Sequence, residues 1–518
     1  MKPLCFVLDT SAAKIAPKAI LSGEWRCRRL HKPRHFQRVY LDSLDWRLLK
    51  KNLSLIADQL GDGFHLHLLD LDDNRTIMAG VSEQLPDFAR SLPEGILAGM
   101  LASILPPRAL VPQVRLVVDR HSMDVLDSDN ETVAHLDLEV SRPLLEGVDD
   151  SKQVYRRLWF TPIKGYDRQN KAIINTLSDY GTPIPSAVIP VRYLISALNI
   201  DSSRFDTRPT GDFRAADRCD RAVKQLLRWL LSVIETNRLP VVTDVDAECL
   251  HDFRVAVRHT RSLLAQANGV LDKERLERAK AFFAGLNKAT TEQRDLDVML
   301  ANFDSYRAML PARAQADLEP VLKYATERRA AAAESTARFI QSANYRRFIE
   351  TWQKYLDSRV ASRTPLTNAM KPVKDLADAR IWKACKRVIA QGSAIDENSP
   401  PETLHSLRKR CKTLRHLIEF FGSLYPAKQI KSVLGILKRL QDNLGKFQDC
   451  HVHIGLLGDL RSDLADRGLL GQPVDSAVSA IIRALEARQA VYRRQFQNRF
   501  MEFGAERHQR LFKQLFKR

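Results

Sequence analysis

The chain of 518 residues is too long for one ordinary core, and with 44% hydrophobic and 28% charged residues it has the composition of a folded protein. It contains no run of about 18 apolar residues and its first residues hold no apolar segment long enough for a secretory signal, so a cytoplasmic protein without a membrane span is expected. The net charge of +19 is uneven: residues 1–200 hold 25 Lys+Arg against 24 Asp+Glu, leaving 56 against 38 for the remainder, which implies a polyanionic partner for that remainder, whether nucleic acid, inorganic polyphosphate or an anionic membrane surface.

The seven cysteines are scattered and never spaced as C-x-x-C, so neither a disulfide framework nor a zinc site is expected. Residues 1–200 read as a mostly β, α+β domain. Phe64–Leu69, Val114–Val118 and Thr132–Val140 alternate or run apolar, and hairpin turns are expected at Asp72-Asp73-Asn74 and Asp127-Ser128-Asp129-Asn130. Helices are expected at about 43–51 and 168–180. The stretch Tyr40-Leu41-Asp42-Ser43-Leu44-Asp45-Trp46-Arg47, continuing to Leu55, with Gly165-Tyr166 before a later helix, resembles a CYTH domain, the tunnel-fold family of triphosphate-binding enzymes. The resemblance implies an antiparallel β tunnel or barrel. The family's E-x-E-x-K strand, which holds a divalent metal and meets phosphate, is replaced here by Lys2-Pro3-Leu4-Cys5-Phe6. Its L-R-x-R pair falls on Leu55-Ile56-Ala57-Asp58, and its next lysine falls near Leu69. A degenerate, non-catalytic domain with no metal site and no cofactor is therefore expected.

Prolines and small polar residues mark a linker at 201–212. From 213 onward only helices are expected, among them Ala216–Thr236, Cys249–Ala267, Ala312–Gln341, Leu376–Ala390, Glu402–Phe421, Ile430–Leu444 and Ser476–Phe500. Pro320 should kink or shorten the third.

One pattern in this part is written twice. His251, Arg254, Arg258 and Arg261 match His405, Arg408, Lys412 and Arg415 without a gap. At about 100° per residue each set falls within an arc of about 80°, giving a basic stripe about 15 Å long on one helix face. Asp246 should cap the first stripe helix. Ser399, before Pro400 and three residues from Glu402, should cap the second. The repeat extends to Leu286 and Leu440, and to Arg294-Asp295-Leu296-Asp297-Val298 and Gln448-Asp449-Cys450-His451-Val452. It predicts two copies of one helical unit, about 213–365 and 366–518, related by a pseudo-two-fold axis.

The duplicated H-x-x-R-x-x-x-[RK]-x-x-R pattern, with Arg294-Asp295-Leu296-Asp297-Val298 and Leu440-Gln441-Asp442-Asn443-Leu444-Gly445, resembles the CHAD family, the conserved histidine α-helical domain, over about 213–518. The resemblance implies an all-α, internally duplicated bundle that binds inorganic polyphosphate and associates with polyphosphate granules and their proteins. It makes the eight stripe residues the expected contacts, with Lys288, Arg294, Lys428, Lys431 and Lys438 as secondary ones. Arginine forks and lysine point charges suit a ligand that offers only phosphate oxygens.

Other features have plainer readings. His259 and His416 are expected to be packing or surface residues, and Asp295, Asp297 and Asp449 arginine partners or caps. His451 and His453, two residues apart, do not share a helix face and make no metal site. The basic C-terminal residues belong to an amphipathic helix. A non-enzymatic polyphosphate binder is the leading expectation, a metal-dependent tripolyphosphatase tethered to polyphosphate the alternative, and a nucleic-acid binder the third. No aromatic side chain stands on the stripes to stack on bases.

Overall fold

The structure, a computed structural model, describes residues 4–8, 21, 25–72, 75–144, 155–184, 191–202, 213–396 and 398–517. The chain divides into two compact units, Met1–Phe205 and Asp206–Arg518. Most of the expected linker and the Asp73-Asn74 part of the first expected turn lie outside the described residues.

The first unit is one antiparallel sheet. Its strands are β1 (Leu4–Leu8), β2 (Arg26–Arg29), β3 (Arg34–Asp42), β4 (Leu53–Leu60), β5 (Gly63–Asp70), β6 (Arg75–Ser82), β7 (Val111–Leu126), β8 (Thr132–Pro143), β9 (Tyr155–Pro162) and β10 (Gly181–Ile184). They pair in the order β10-β1-β9-β8-β7-β3-β4-β5-β6, with β2 added to β7. Among the described residues four α-helices accompany them: α1 (Arg47–Lys50), α2 (Ile96–Ile104), α3 (Asp167–Ser178) and α4 (Val191–Ala197). The two-residue period of a strand gives the sheet two different faces. Val39, Leu41, Leu55 and Ala57 pack under Leu48 of α1 and Leu97 and Leu101 of α2. Tyr40, Ile56, Val114 and Leu116 pack on the other side with Val191 and Leu194 of α4. With both faces covered, β4 reads as the nearly continuous apolar run Leu53-Ser54-Leu55-Ile56-Ala57.

The turn at Asp127–Asn130 and the start of α1 each have a physical basis. The Asp127 carboxylate accepts from the backbone N–H of Asp129 (3.0 Å) and Glu131 (2.9 Å), and Asn130 takes the left-handed conformation at φ 61°. The buried Asp42 carboxylate accepts from the N–H of Ser43, Leu48 and Leu49 at 2.7–2.9 Å and so starts α1. Burial outweighs those bonds and pushes Asp42 up to about 6.

The second unit is all helix: α5 (Cys219–Val242), α6 (Ala247–Gln266), α7 (Lys273–Ala289), α8 (Thr291–Ala301), α9 (Phe303–Arg307), α10 (Glu319–Gln341), α11 (Ala343–Asp357), α12 (Val373–Ser393), α13 (Pro401–Phe421), α14 (Ala427–Asp466), α15 (Gln472–Phe503) and α16 (Glu506–Phe516). The duplication is visible in the helix starts. Cys219 and Val373, Ala247 and Pro401, and Lys273 and Ala427 are each 154 residues apart, the offset that also separates Ser262 from its contact His416. The copies interlock: α8, α9 and α10 share one apolar core with the second half of α14 and the first half of α15.

Two local expectations are met and two change. Pro320 shortens the helix expected from Ala312: it stands in the first turn of α10, where a proline loses no hydrogen bond. Asp246 caps α6 through Cys249 N–H at 2.7 Å, but Ser399 does not cap α13; its hydroxyl donates to Asp396 at 2.8 Å. The helix expected at Ile430–Leu444 runs on to Asp466, since Leu456, Leu457 and Leu460 are buried in the shared core. Its first-copy counterpart is broken at Thr290, between α7 and α8.

Candidate functional site

The stripes lie on α6 and α13, and these helices pack against each other in their C-terminal halves. Ser262 and His416 are hydrogen bonded at 2.8 Å, and the His259 and His416 rings meet edge to face with centroids 4.2 Å apart. Ser262 and His416 are each other's equivalents in the repeat, so the pseudo-two-fold axis passes between the two helices. One turn earlier stand Arg258 and Lys412, also equivalents. The stripes come near each other here: Lys412 feels the charges of Arg408, Arg258 and Arg254, and Arg258 those of Arg294 and Arg408.

These cations are crowded. Burial, Arg408 and Arg258 push the Lys412 ammonium down to about 8, with Asp449 opposing. Burial, Arg294 and Arg408 lower Arg258, and burial lowers Arg408 against the pull of Asp449, whose carboxylate lies 3.8 Å away. Arg254 is pushed down to about 10 by burial and then by Arg258. Arg261 is exposed at the outer end of its stripe. Arg415 is held by Glu419 at 2.7 Å and reaches Gln441 at 3.3 Å.

The copies use their first arginine differently. Arg254 is only 7% exposed and turns inward at the α7–α8 break, where Nη1 donates to the Asn287 carbonyl (2.9 Å) and to the hydroxyls of Thr290 (2.6 Å) and Thr291 (3.2 Å). It therefore caps the C-terminus of α7, whose partial negative charge favours a cation. The His405 Nδ1–H donates to Gln448 Oε1, which fixes the orientation of the ring. His251 is partly buried on the equivalent turn of α6. Gln441 and Gln448 stand in the motifs of the repeat but are not among the expected contacts, although their seven-residue spacing on α14 places both on the face toward α13.

Of the secondary residues, Arg294 donates to the Ala247 carbonyl at 3.1 Å, at the first turn of α6. Lys288 is exposed next to Asn287, which meets Arg254. Lys438 is exposed one turn before Gln441, but Lys428 and Lys431 lie about 15 Å or more further along α14 at 1.5 Å per residue, and nothing gathers them to the stripes. Asp297 pairs with Arg329 at 2.7 Å, and His453 hydrogen bonds the Tyr306 hydroxyl at 2.8 Å. His259, buried beside Arg258 and Arg415, is pushed down to about 4, and His416 well below its usual range, so both pack as neutral rings. The C-terminal helix α16 buries His508, Phe512 and Phe516 and turns its basic side chains outward.

The sheet unit holds a different set of arginines. Arg38 meets both oxygens of Asp58 at 2.6 and 2.7 Å and Glu139 at 2.7 Å; Arg120 (3.0 Å) and Arg157 also bond Glu139. Burial would raise Glu139, but Arg38, Arg157 and Arg120 hold it down at about 2. Among the described residues no group of three His, Cys, Asp or Glu side chains could hold a metal ion. Among the described residues no helix is long and apolar enough to cross a membrane.

Residues 225–458 match the family model described as the CHAD domain. Among solved structures the chain is similar to the CHAD domain from the plant Ricinus communis, at 22% identity and TM-score 0.47, covering 58% of this chain and 96% of that one. It is also similar to PptA from Streptomyces chartreusis, at 15% identity and TM-score 0.43, covering 55% and 100%. No curated protein matches the sequence. The family match falls within the duplicated helices and spans both histidine-led stripes, and the helical unit of this chain is a CHAD domain.

Proposed function

We propose that the CHAD domain binds inorganic polyphosphate without transforming it, holding the chain between the basic faces of α6 and α13. The observation that carries this reading is the packing of α6 on α13 at Ser262 and His416, which sets Arg258 and Lys412 one turn away on either side of the pseudo-two-fold axis, where burial, then Arg408 and Arg258, lower the affinity of Lys412 for its proton. Such crowding is unfavourable until an anion enters, and a repeating phosphate chain supplies charge at every step without bases or sugars to read. Arginine forks then bind phosphate oxygens in pairs, and Lys412 adds a point charge. The same reading places the protein in the cytoplasm, at polyphosphate granules.

The sheet unit is a degenerate CYTH-like domain in this reading and not a tripolyphosphatase. Its arginines are already matched by Asp58 and Glu139, and its opening strand has no carboxylate pair for a metal. One titration tests the whole reading. Long-chain polyphosphate should bind with an affinity that falls steeply with salt, by analogy with DNA, where log K drops about 0.9 per neutralised phosphate per decade. DNA or RNA at equal phosphate concentration should not displace it, and pure protein with magnesium or manganese should release no orthophosphate from tripolyphosphate. Displacement by nucleic acid would favour a general polyanion binder; orthophosphate release would restore an enzyme.

A further inference from the structure

We infer a second anion site on the flank of α13 away from the stripes, one that takes a compact oligophosphate group of about three phosphates. A cavity of about 380 Å³ opens there, within the range of small-ligand sites, lined by Arg380, Lys383 and Arg387 of α12, Arg410 and Thr413 of α13, and Asn268 just past the end of α6. Among the described residues no carboxylate lines it. At about 100° per residue, Arg410 lies roughly 180° around α13 from the middle of the His405–Arg415 stripe, so the cavity is not part of the stripe face.

The duplication makes this cavity conspicuous. In the first copy the positions equivalent to Arg380, Lys383, Arg387 and Arg410 are Leu226, Trp229, Val233 and Ala256, of which Leu226, Val233 and Ala256 are buried. The position equivalent to Gln266, at the cavity's edge, is Phe420, which packs on His259 at 5.5 Å between ring centroids. The first copy fills this space with core. The second leaves it open and puts four cations around it.

The lining suits phosphate in charge and in donors. Three guanidinium forks and one ammonium face a space that Thr413 and Asn268 can also supply with donors. Arg410 donates one hydrogen bond to the Arg387 carbonyl oxygen at 3.5 Å and keeps its other N–H groups. A triphosphate group joined to something at one end carries about one charge on each of its two inner phosphates and up to about two on the terminal one, about four against four cations; free tripolyphosphate, with two terminal phosphates, carries up to about five. A purely structural account also exists, because cations near the C-terminus of α6 complement its dipole, and the test separates the two.

The site stands apart from the stripe proposal, and either can fail alone. Tripolyphosphate and ATP are titrated into the full chain by calorimetry, for the wild type, Arg387→Ala/Arg410→Ala and Arg258→Met/Lys412→Gln. The Arg387/Arg410 variant should bind tripolyphosphate at least about tenfold more weakly while long-chain polyphosphate affinity stays unchanged, and the stripe variant should do the reverse. Equal binding of ATP shows that a triphosphate group is recognised whatever bears it; binding of tripolyphosphate alone assigns the site to free chain ends, and both results uphold it. A lower melting temperature with unchanged tripolyphosphate binding would make the four cations structural. Parallel loss of tripolyphosphate and long-chain binding would make the cavity part of the stripe track, and both of these results overturn the inference.

Discussion

Arg38 in the sheet unit and Arg254 in the CHAD domain are both nearly buried, at 2% and 7% exposure, yet their surroundings move them in opposite directions. Burial would lower both. At Arg38 the carboxylates of Glu139 and Asp58 more than reverse it and raise the guanidinium; at Arg254 the neighbouring Arg258, Arg294 and Arg261 add to it and Asp295 opposes it without reversing it. A buried cation that has its own counter-ions is part of the fold. Cations that have one another as neighbours are held in place by the fold for something that arrives later. Under the proposed function, this difference keeps phosphate-type chemistry silent in one unit and open to a ligand in the other.

Breaking the two clusters should therefore have opposite effects. Arg38→Ala removes the cation that meets both oxygens of Asp58 and should cost the sheet unit about 3–5 kcal/mol, read as faster amide hydrogen exchange in β3 and β4. Polyphosphate affinity should not change. Arg258→Met keeps most of the apolar stem and removes a charge that its neighbours oppose. It should weaken polyphosphate binding by about 1.5–3 kcal/mol, roughly ten- to a hundredfold, without lowering the melting temperature of the ligand-free protein. A lower melting temperature with unchanged affinity would place Arg258 with Arg38 as a structural residue.

Within the CHAD domain the two copies sharpen the same contrast. Arg254→Ala removes the cap of α7 and should cost about 1–2 kcal/mol of stability as well as affinity. Arg408→Ala, whose guanidinium meets the Asp449 carboxylate at a distant 3.8 Å, should cost affinity with little change in stability. A thermal melt of each single variant decides this; identical melting temperatures would remove the capping role. The expectation from sequence that both arginines are ligand contacts of one kind is thus refined for Arg254.

That refinement shows where the sequence was informative. The 0, 3, 7, 10 spacing and its copy at a constant offset placed α6 and α13, their basic faces and the duplication, because helix periodicity and ungapped repeats are local signals. The alternating and apolar runs likewise placed β5, β7 and β8. What escaped depends on distant partners. The inward turn of Arg254 needs the α7–α8 break at Thr290, 36 residues on. The Arg38–Glu139 contact joins residues 101 apart. The extension of α14 to Asp466 follows from the core it shares with α8–α10, and Ser399 bonds Asp396 instead of capping α13. Local rules describe what a segment can do, and in these places a tertiary contact chose otherwise.

The smallest effect is the most direct report on the crowded cations. In the ligand-free protein Lys412 titrates at about 8 instead of its usual 10.5, first through burial and then through Arg408 and Arg258. Phosphate beside it favours the charged form and should move it back up. Between about pH 8 and 10 the free protein has largely lost this proton while the complex retains it, so binding should take up as much as about one proton, and affinity should fall as pH rises through 8. Below about pH 7 the lysine is charged in both states and no proton moves at this site. The ligand-free fold follows the opposite course: the unfolded chain holds the proton up to about 10.5, so this site contributes stability that increases as pH rises from about 8 to 10.5. Calorimetric titrations in two buffers of different ionisation enthalpy at pH 8.5 measure the uptake, and Lys412→Gln should abolish it. Uptake that survives in Lys412→Gln would assign the proton to another group, and no uptake in the wild type would place Lys412 away from the bound phosphate.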